Sequence, residues 1–206
     1  GAGRTEFAQL LFGVKKIEAG KMIFKGKEVY PKSPNDASDI GIALVPGDRK
    51  QQGVLLDLSI KNNISLAMLR RISQNTVINK KKENEVVDKY KENLKIKTPD
   101  MSNLVSSLSG GNQQKVVLAK WLATEPDLII LDEPTRGIDV GAKHEIYMLM
   151  NELVQNGKAI LMITSEMEEL IGMADRIVVL CEGKQTAELT KENFNEETIL
   201  SYASKM

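Results

Sequence analysis

Hydrophobic positions in this chain recur at two periods, and the switches between them mark its elements. Phe7, Leu10 and Leu11 recur at helical spacing and predict a helix opening near Arg4, with those three side chains turned inward. Two short strands, 21–24 and 28–30, flank Lys25-Gly26, a hairpin signal. Pro31 and Pro34 interrupt the chain, a short helix follows over 35–39, and the apolar run 42–45 stops at Pro46-Gly47. Residues 60–107 differ in character. They are rich in Lys, Asn and Glu, show no strand-like run, and place Val86, Val87, Tyr90 and Leu94 on one helical face. This stretch reads as a mostly helical lobe inserted in an α/β core, and Thr98-Pro99-Asp100 marks a turn before its end.

From Ser109 onward strands and helices alternate. The pattern predicts a helix over 110–123, a strand over 128–131 and a helix over 141–155 with Ile146, Leu149, Met150 and Leu153 on one face, stopped by Gly157. A strand over 159–163, a helix near 166–171 and strands over 176–180 and 186–189 around Gly183 follow. Such alternation implies a mostly parallel sheet with helices on both sides, and the last two strands suggest an antiparallel edge. A final helix over 196–203 is expected outside the core.

Composition narrows the picture. With 206 residues, 42% of them hydrophobic and 27% charged, the chain is long enough for one good core. We expect a single domain over 1–206 carrying the helical lobe. The 28 basic and 28 acidic residues cancel, which argues against a nucleic-acid binder relying on a broad positive field. Cys181 is the one cysteine, so an internal disulfide is excluded and a reducing compartment fits. No apolar run reaches the roughly eighteen residues of a membrane span.

The chemistry concentrates in two places. Leu108-Ser109-Gly110-Gly111-Asn112-Gln113-Gln114-Lys115 is a Ser-Gly-Gly turn opening a helix. Ser109 is a good N-cap, and the two glycines after it leave backbone amides bare to face an anion. Leu128-Ile129-Ile130-Leu131-Asp132-Glu133 is an apolar strand ending in two acids. A carboxylate there can hold magnesium and its neighbour can orient a water. An ordinary buried strand rarely ends in two adjacent acids, because they repel. Gly137-Ile138-Asp139 follows, either as a turn with an Asp cap or as something more. His144 reads as a surface helix residue, Trp121 as core, Lys80-Lys81-Lys82 as a solvated helix start, and no Cys/His cluster has zinc spacing.

Order and spacing of these strings resemble the ATP-binding cassette family, with Leu108–Gln113 as its signature and Asp132-Glu133 as Walker B. More narrowly, Gly1-Ala2-Gly3-Arg4-Thr5-Glu6, Asp48-Arg49-Lys50, Asp132-Glu133-Pro134-Thr135-Arg136-Gly137-Ile138-Asp139 and Ser165-Glu166-Met167 look like the C-terminal cassette of the fused ATPase subunits of bacterial monosaccharide importers of ribose, galactose and xylose type. The resemblance covers essentially the whole chain, and related nucleoside importers share several of the strings. It implies a P-loop NTPase-like fold binding ATP and Mg2+. Gly1, Ala2, Gly3, Arg4, Thr5 and Glu6 would be the tail of the chain's own phosphate loop, whose first glycine would lie upstream, so a fragment is expected. Thr5 and Asp132 would serve magnesium, and Glu133 would polarise the attacking water. Ser109, Gly110, Gly111 and Gln113 would close on the ATP of an opposing cassette, with Asp139 in the D-loop.

The same resemblance exposes departures. Arg4 stands where the family has lysine, and its planar fork is not interchangeable with a point charge. Gly47 stands where glutamine, or in many members of the sugar group glutamate, is usual. Ser165 stands where the switch histidine is usual, and a serine cannot carry charge to a phosphate. Ser165 with Glu168 also reads as a capping box, which suffices to account for it. The chain's own site is therefore expected to be impaired, with the donated elements intact. Implied partners are the opposing cassette, expected as the N-terminal half of the same polypeptide, and transmembrane permease subunits. A periplasmic or lipoprotein sugar-binding protein would act indirectly, and the location would be the cytoplasmic face of the bacterial membrane. Two other readings stand beside this one. One is a non-hydrolysing module that completes another site; the other is a cassette acting on DNA or ribosomes, which zero net charge and the absence of a basic arm disfavour.

Overall fold

The computed structural model describes residues 2–204. These pack as two compact units, one built from the chain's two ends (up to Ala37 and from Met162) and the other from Ser38–Leu161.

In the first unit, helix α1 (Arg4–Leu11) is followed by the hairpin of β1 (Ile23–Phe24) and β2 (Lys27–Glu28). Lys25 and Gly26 both take positive φ, 51° and 73°, the twist a two-residue hairpin turn needs. Helix α1 does not bury the expected face. Phe7 is 45% exposed, while Ala8 and Phe12 are buried. Ala8 and Phe12 lie four apart, so they define a face rotated from the one through Phe7. Helix α2 (Pro34–Asp39) leads to the second unit, and β7 (Ala159–Ile163) leads back. The chain then forms α8 (Met167–Met173) and the antiparallel pair β8 (Arg176–Cys181) and β9 (Lys184–Thr190). The closing helix α9 (Glu196–Ala203) is not outside the core as expected. Its Ile199 packs into a buried cluster with Ile177, Val179 and Leu189, sharing with Met167, Leu170 and Ile171 of α8 the cover of the pair's apolar face.

The second unit holds β3 (Ile42–Val45), a π-helical segment over Arg49–Gly53, α3 (Ile60–Ser65), α4 (Leu69–Ile72), β4 (Ser73–Gln74), β5 (Val77–Ile78), α5 (Lys80–Asn93), α6 (Gly110–Leu122), β6 (Leu128–Asp132) and α7 (Val140–Gln155). Strands β3 and β6 pair in parallel, with Val45 opposite Leu131, and β7 continues the sheet in the order β3-β6-β7. All four residues of β3 are buried, as expected for a parallel strand covered on both faces. The stretch 60–107 is mostly helical as expected, with one difference. Strands β4 and β5 form a small hairpin around Asn75 and Thr76, both at positive φ. Two-residue strands leave too little alternation to be seen in sequence.

Helix α5 packs against α3, and Val87, Tyr90 and Leu94 along it are buried. The Tyr90 hydroxyl donates to the Leu122 carbonyl at 2.6 Å. Burial, helped by the charge of Glu125, pushes the phenol up to about 12. Trp121, expected in the core, is only half-buried. Lys80, Lys81 and Lys82 are exposed as expected, with the Asn79 side chain capping the helix they open.

Tyr90→Phe removes the donor from the Leu122 carbonyl while keeping the ring. We expect a loss of about 1–2 kcal/mol in urea unfolding with unchanged slope. A change well below that would mean that water replaces the hydroxyl without penalty.

Candidate functional site

Strand β6 ends in the second unit with Asp132 buried, only 6% exposed, and Glu133 half-buried beyond it. Glu133 has φ 46°, a left-handed backbone that a glutamate rarely adopts. Such strain persists where surrounding packing imposes it, and it collects at functional positions. Parallel pairing brings the exit of β3 alongside. A Cβ built on Gly47 would stand 3.3 Å from the Asp132 carbonyl oxygen and 3.6 Å from the Glu133 Cβ. Gly47 therefore lies against both acids, and the departure seen in sequence is also a tight fit.

The start of α6 lies in the same unit. Its first intrahelical bond is made by the Gln113 amide to the Ser109 carbonyl at 2.9 Å, which leaves the amides of Gly110, Gly111 and Asn112 ahead of the ladder. Ser109 occupies the N-cap position but makes no side-chain cap. Its hydroxyl instead accepts from the Asn112 side chain at 3.0 Å. The glycines are required by packing. A Cβ on Gly111 would come within 2.7 Å of the Ala142 Cβ, and one on Gly110 within 3.3 Å of the Gly137 carbonyl oxygen. Asp139 caps α7 by accepting from the Ala142 amide at 2.9 Å. The capping geometry of the simpler reading is thus present, and Asp139 Oδ2 would also lie 3.8 Å from a Cβ on Gly111. Gln113 turns away from the helix start. It is buried and donates to the carbonyls of Val105 and Leu108 at 3.3 and 3.2 Å, holding the turn that precedes the signature.

Sequence reasoning missed Arg49. Its guanidinium donates to the carbonyls of Arg136 and Gly137 at 2.8 and 3.1 Å. Asp48-Arg49-Lys50 is among the strings that carry the resemblance but gave Arg49 no role, and Asp48 caps the π-helical segment by accepting from the amides of Lys50 and Gln51. Lys120 was missed too. Buried on α6, it donates to the Gly53 carbonyl and stacks 5.3 Å from the Trp121 ring, and burial lowers its ammonium to about 8. Lys115, also buried, pairs with Glu145 at 2.7 Å, and that hydrogen bond holds the Glu145 carboxyl below its usual range. His144 is exposed on α7.

The first unit carries the remaining predicted residues, apart from Gly1, which lies outside the described residues. Gly3 has φ 89° and precedes α1, and the Ala2 carbonyl accepts from the Gly183 amide at 3.1 Å in the β8–β9 turn. A Cβ on Gly3 would lie 3.2 Å from the Gly183 Cα. Arg4 Nη1 donates to the Thr164 carbonyl at 2.6 Å, so part of the guanidinium is spent on backbone. Thr5 and Glu6 are exposed in the first turn of α1. Helix α8 takes Glu166 as its N-cap residue, one position after the expected Ser165, and Thr164 precedes both. The Thr164 hydroxyl accepts from the Glu166 amide at 3.0 Å and donates to buried Glu169 at 2.6 Å, while Ser165 is exposed.

Comparison with known proteins adds four findings. The family described as ABC transporter matches residues 1–136. The ribose import ATP-binding protein RbsA of Oceanobacillus iheyensis is 47% identical over 204 residues, 99% of this chain and 41% of that protein. The xylose import ATP-binding protein XylG of Moorella thermoacetica is 49% identical over 205 residues, again 99% of this chain and 40% of that protein. The chain therefore spans well under half the length of the curated relatives it matches. A solved ATP-binding cassette of an ABC transporter superposes with a TM-score of 0.83 at 20% identity, covering 99% of this chain and 84% of that one, which establishes the fold.

Lys120 supplies a pH test of the contact that seats the segment 49–53 on α6. Its folded-state value of about 8 lies below the ordinary 10.5, so between these values the unfolded chain holds the extra proton. The contribution of this group to stability then rises with pH, with a slope approaching about 1.4 kcal/mol per pH unit. We expect the stability difference, wild type minus Lys120→Met, to grow from pH 8 to pH 10 in urea titrations. A flat or falling difference would contradict a buried ammonium.

Proposed function

Because the chain belongs to the ABC transporter family, we propose that it is the C-terminal ATP-binding cassette of a bacterial sugar importer, a single domain over 1–206 with a helical lobe over 60–107. In this reading ATP binding and hydrolysis at a cassette–cassette interface drive uptake of a monosaccharide. The printed names of the relatives, ribose and xylose import proteins, support the sugar class. The observation that carries the reading is the start of α6, an uncapped helix terminus at Ser109-Gly110-Gly111. Helix-terminal amides ahead of the hydrogen-bond ladder suit a phosphate supplied from outside.

Each unit contributes its own groups. In the second, Asp132 is the magnesium carboxylate and Glu133 the base that polarises water. Among the described residues no cluster of three or more His, Cys, Asp or Glu could hold a metal ion. One buried carboxylate fits magnesium, which binds through one or two carboxylates, substrate phosphates and water rather than in an all-protein cage. Bound there, the ion would neutralise charge developing on the phosphates. Asp139 fixes the start of α7 beside Gly111, and the amides of 110–112 together with Ser109 close on the nucleotide of the opposing cassette. In the first unit, Gly3, Arg4 and Thr5 serve this chain's own phosphates, with Thr5 a further magnesium ligand, and Ser165 takes the switch position.

The chain's own chemistry is weakened in this reading. Arg4 is a larger cation than lysine and is held by the Thr164 carbonyl. Ser165 brings no charge, and Gly47 brings no side chain to Asp132 and Glu133. The Arg4 bond also favours a second reading, in which this cassette binds nucleotide without hydrolysing it and completes only its partner's site. Partners are the opposing cassette and the permease subunits. Among the described residues no helix is long and apolar enough to cross a membrane, so attachment to the membrane would run through the permease.

The test is Ser109→Arg in the assembled importer. A bulky cation at the start of α6 blocks the amides, and steady-state phosphate release should fall at least about tenfold with normal expression. Turnover within about twofold of wild type would contradict the arrangement.

A further inference from the structure

We propose that Arg49 is a positioning residue that locks the start of α6 to the turn following Asp132-Glu133; the proposal rests on the function given above. Arg49 opens the π-helical segment, a conformation that concentrates at functional places. Its two terminal nitrogens reach the carbonyls of consecutive residues, Arg136 and Gly137, with a planar fork that lysine lacks. The same head covers the helix start, since a Cβ on Gly110 would stand 2.9 Å from Arg49 Nη2. Gly137 holds φ 68°, so its carbonyl is aimed by a backbone that favours glycine. Arg49 Nε is buried with no hydrogen-bond partner, an outlay that an incidental surface contact would not sustain.

The far end of the segment is fixed as well. A Cβ on Gly53 would meet Val117 at 2.8 Å, and Lys120 donates to the Gly53 carbonyl. Five residues therefore bridge two points on α6 and one turn beyond β6. Movement of the chain at Gly47-Asp48, beside the acids, is transmitted through Arg49 to the helix that offers its amides outward. Arg49 itself touches no reacting atom.

Two measurements test this. In the first, hydrogen exchange of Arg49→Lys is read by amide. Exchange over 113–116 and 136–139 should quicken at least about fivefold, with the unfolding midpoint kept within a few degrees. Unchanged exchange there overturns the proposal, as does a uniform rise across the chain. In the second, turnover of the assembled importer is followed in Arg49→Gln, Gly110→Ala and the double variant. Each single change should lower kcat at least about fivefold with KM for ATP within about twofold, and the double should be little worse than either. Additive losses, or single variants at wild-type turnover, overturn it. Ser109→Arg run alongside separates the two claims. If it too leaves turnover intact, the proposed function fails; if it abolishes turnover while Arg49→Gln does not, only the role of Arg49 fails.

Discussion

The second unit depends on a close approach of backbone to backbone at the start of α6. Gly111 faces Ala142 with no room for a methyl group, and Gly110 is closed in by Arg49 and the Gly137 carbonyl. These contacts let a helix begin without covering its own first amides. A terminus normally satisfies such amides with a side-chain cap or water. Here Ser109, the natural cap, is occupied by Asn112 instead. The terminus is thus held by close contacts while its first amides stay ahead of the helical ladder, an arrangement that suits an anion.

The same economy explains the departures. Arg4 is bound to the Thr164 carbonyl, and the Thr164 hydroxyl accepts from the Glu166 amide just before α8. The position where a lysine would act on phosphate is thus drawn into backbone support. In the second unit Gly47 is pressed against the ends of Asp132 and Glu133. The contacts that shape the start of α6, from Arg49, Gly137, Asp139 and Ala142, all lie within the second unit. A cassette could therefore lose its own chemistry and still complete another's.

Much of this was legible in sequence where the information is local. Strands β3 and β6 and helices α6 and α7 came from apolar periodicity, and Asp132, Glu133 and Ser109–Gly111 from their place at the ends of those elements. What escaped depends on distant partners. Arg49 acts on carbonyls 87 and 88 residues away, and a carbonyl has no side-chain signature to read. Hairpin β4–β5 is too short to show a period. Helix α9 was placed outside because its burial depends on the apolar face of β8 and β9, and Phe7 was placed inside because three helical faces could each claim a hydrophobic residue. The bond from the Thr164 hydroxyl to buried Glu169 has no local signature in the sequence either.

The central claim is that this cassette supplies a working helix start to its partner while its own catalysis is weak. Trapping the assembled importer with vanadate and a photoreactive adenine nucleotide tests it most directly, because the label marks the cassette that holds the hydrolysed nucleotide. The account predicts label in the opposing cassette and little in this one, with trapping lost in Ser109→Arg. Equal labelling of both, or label confined to this chain, would contradict it.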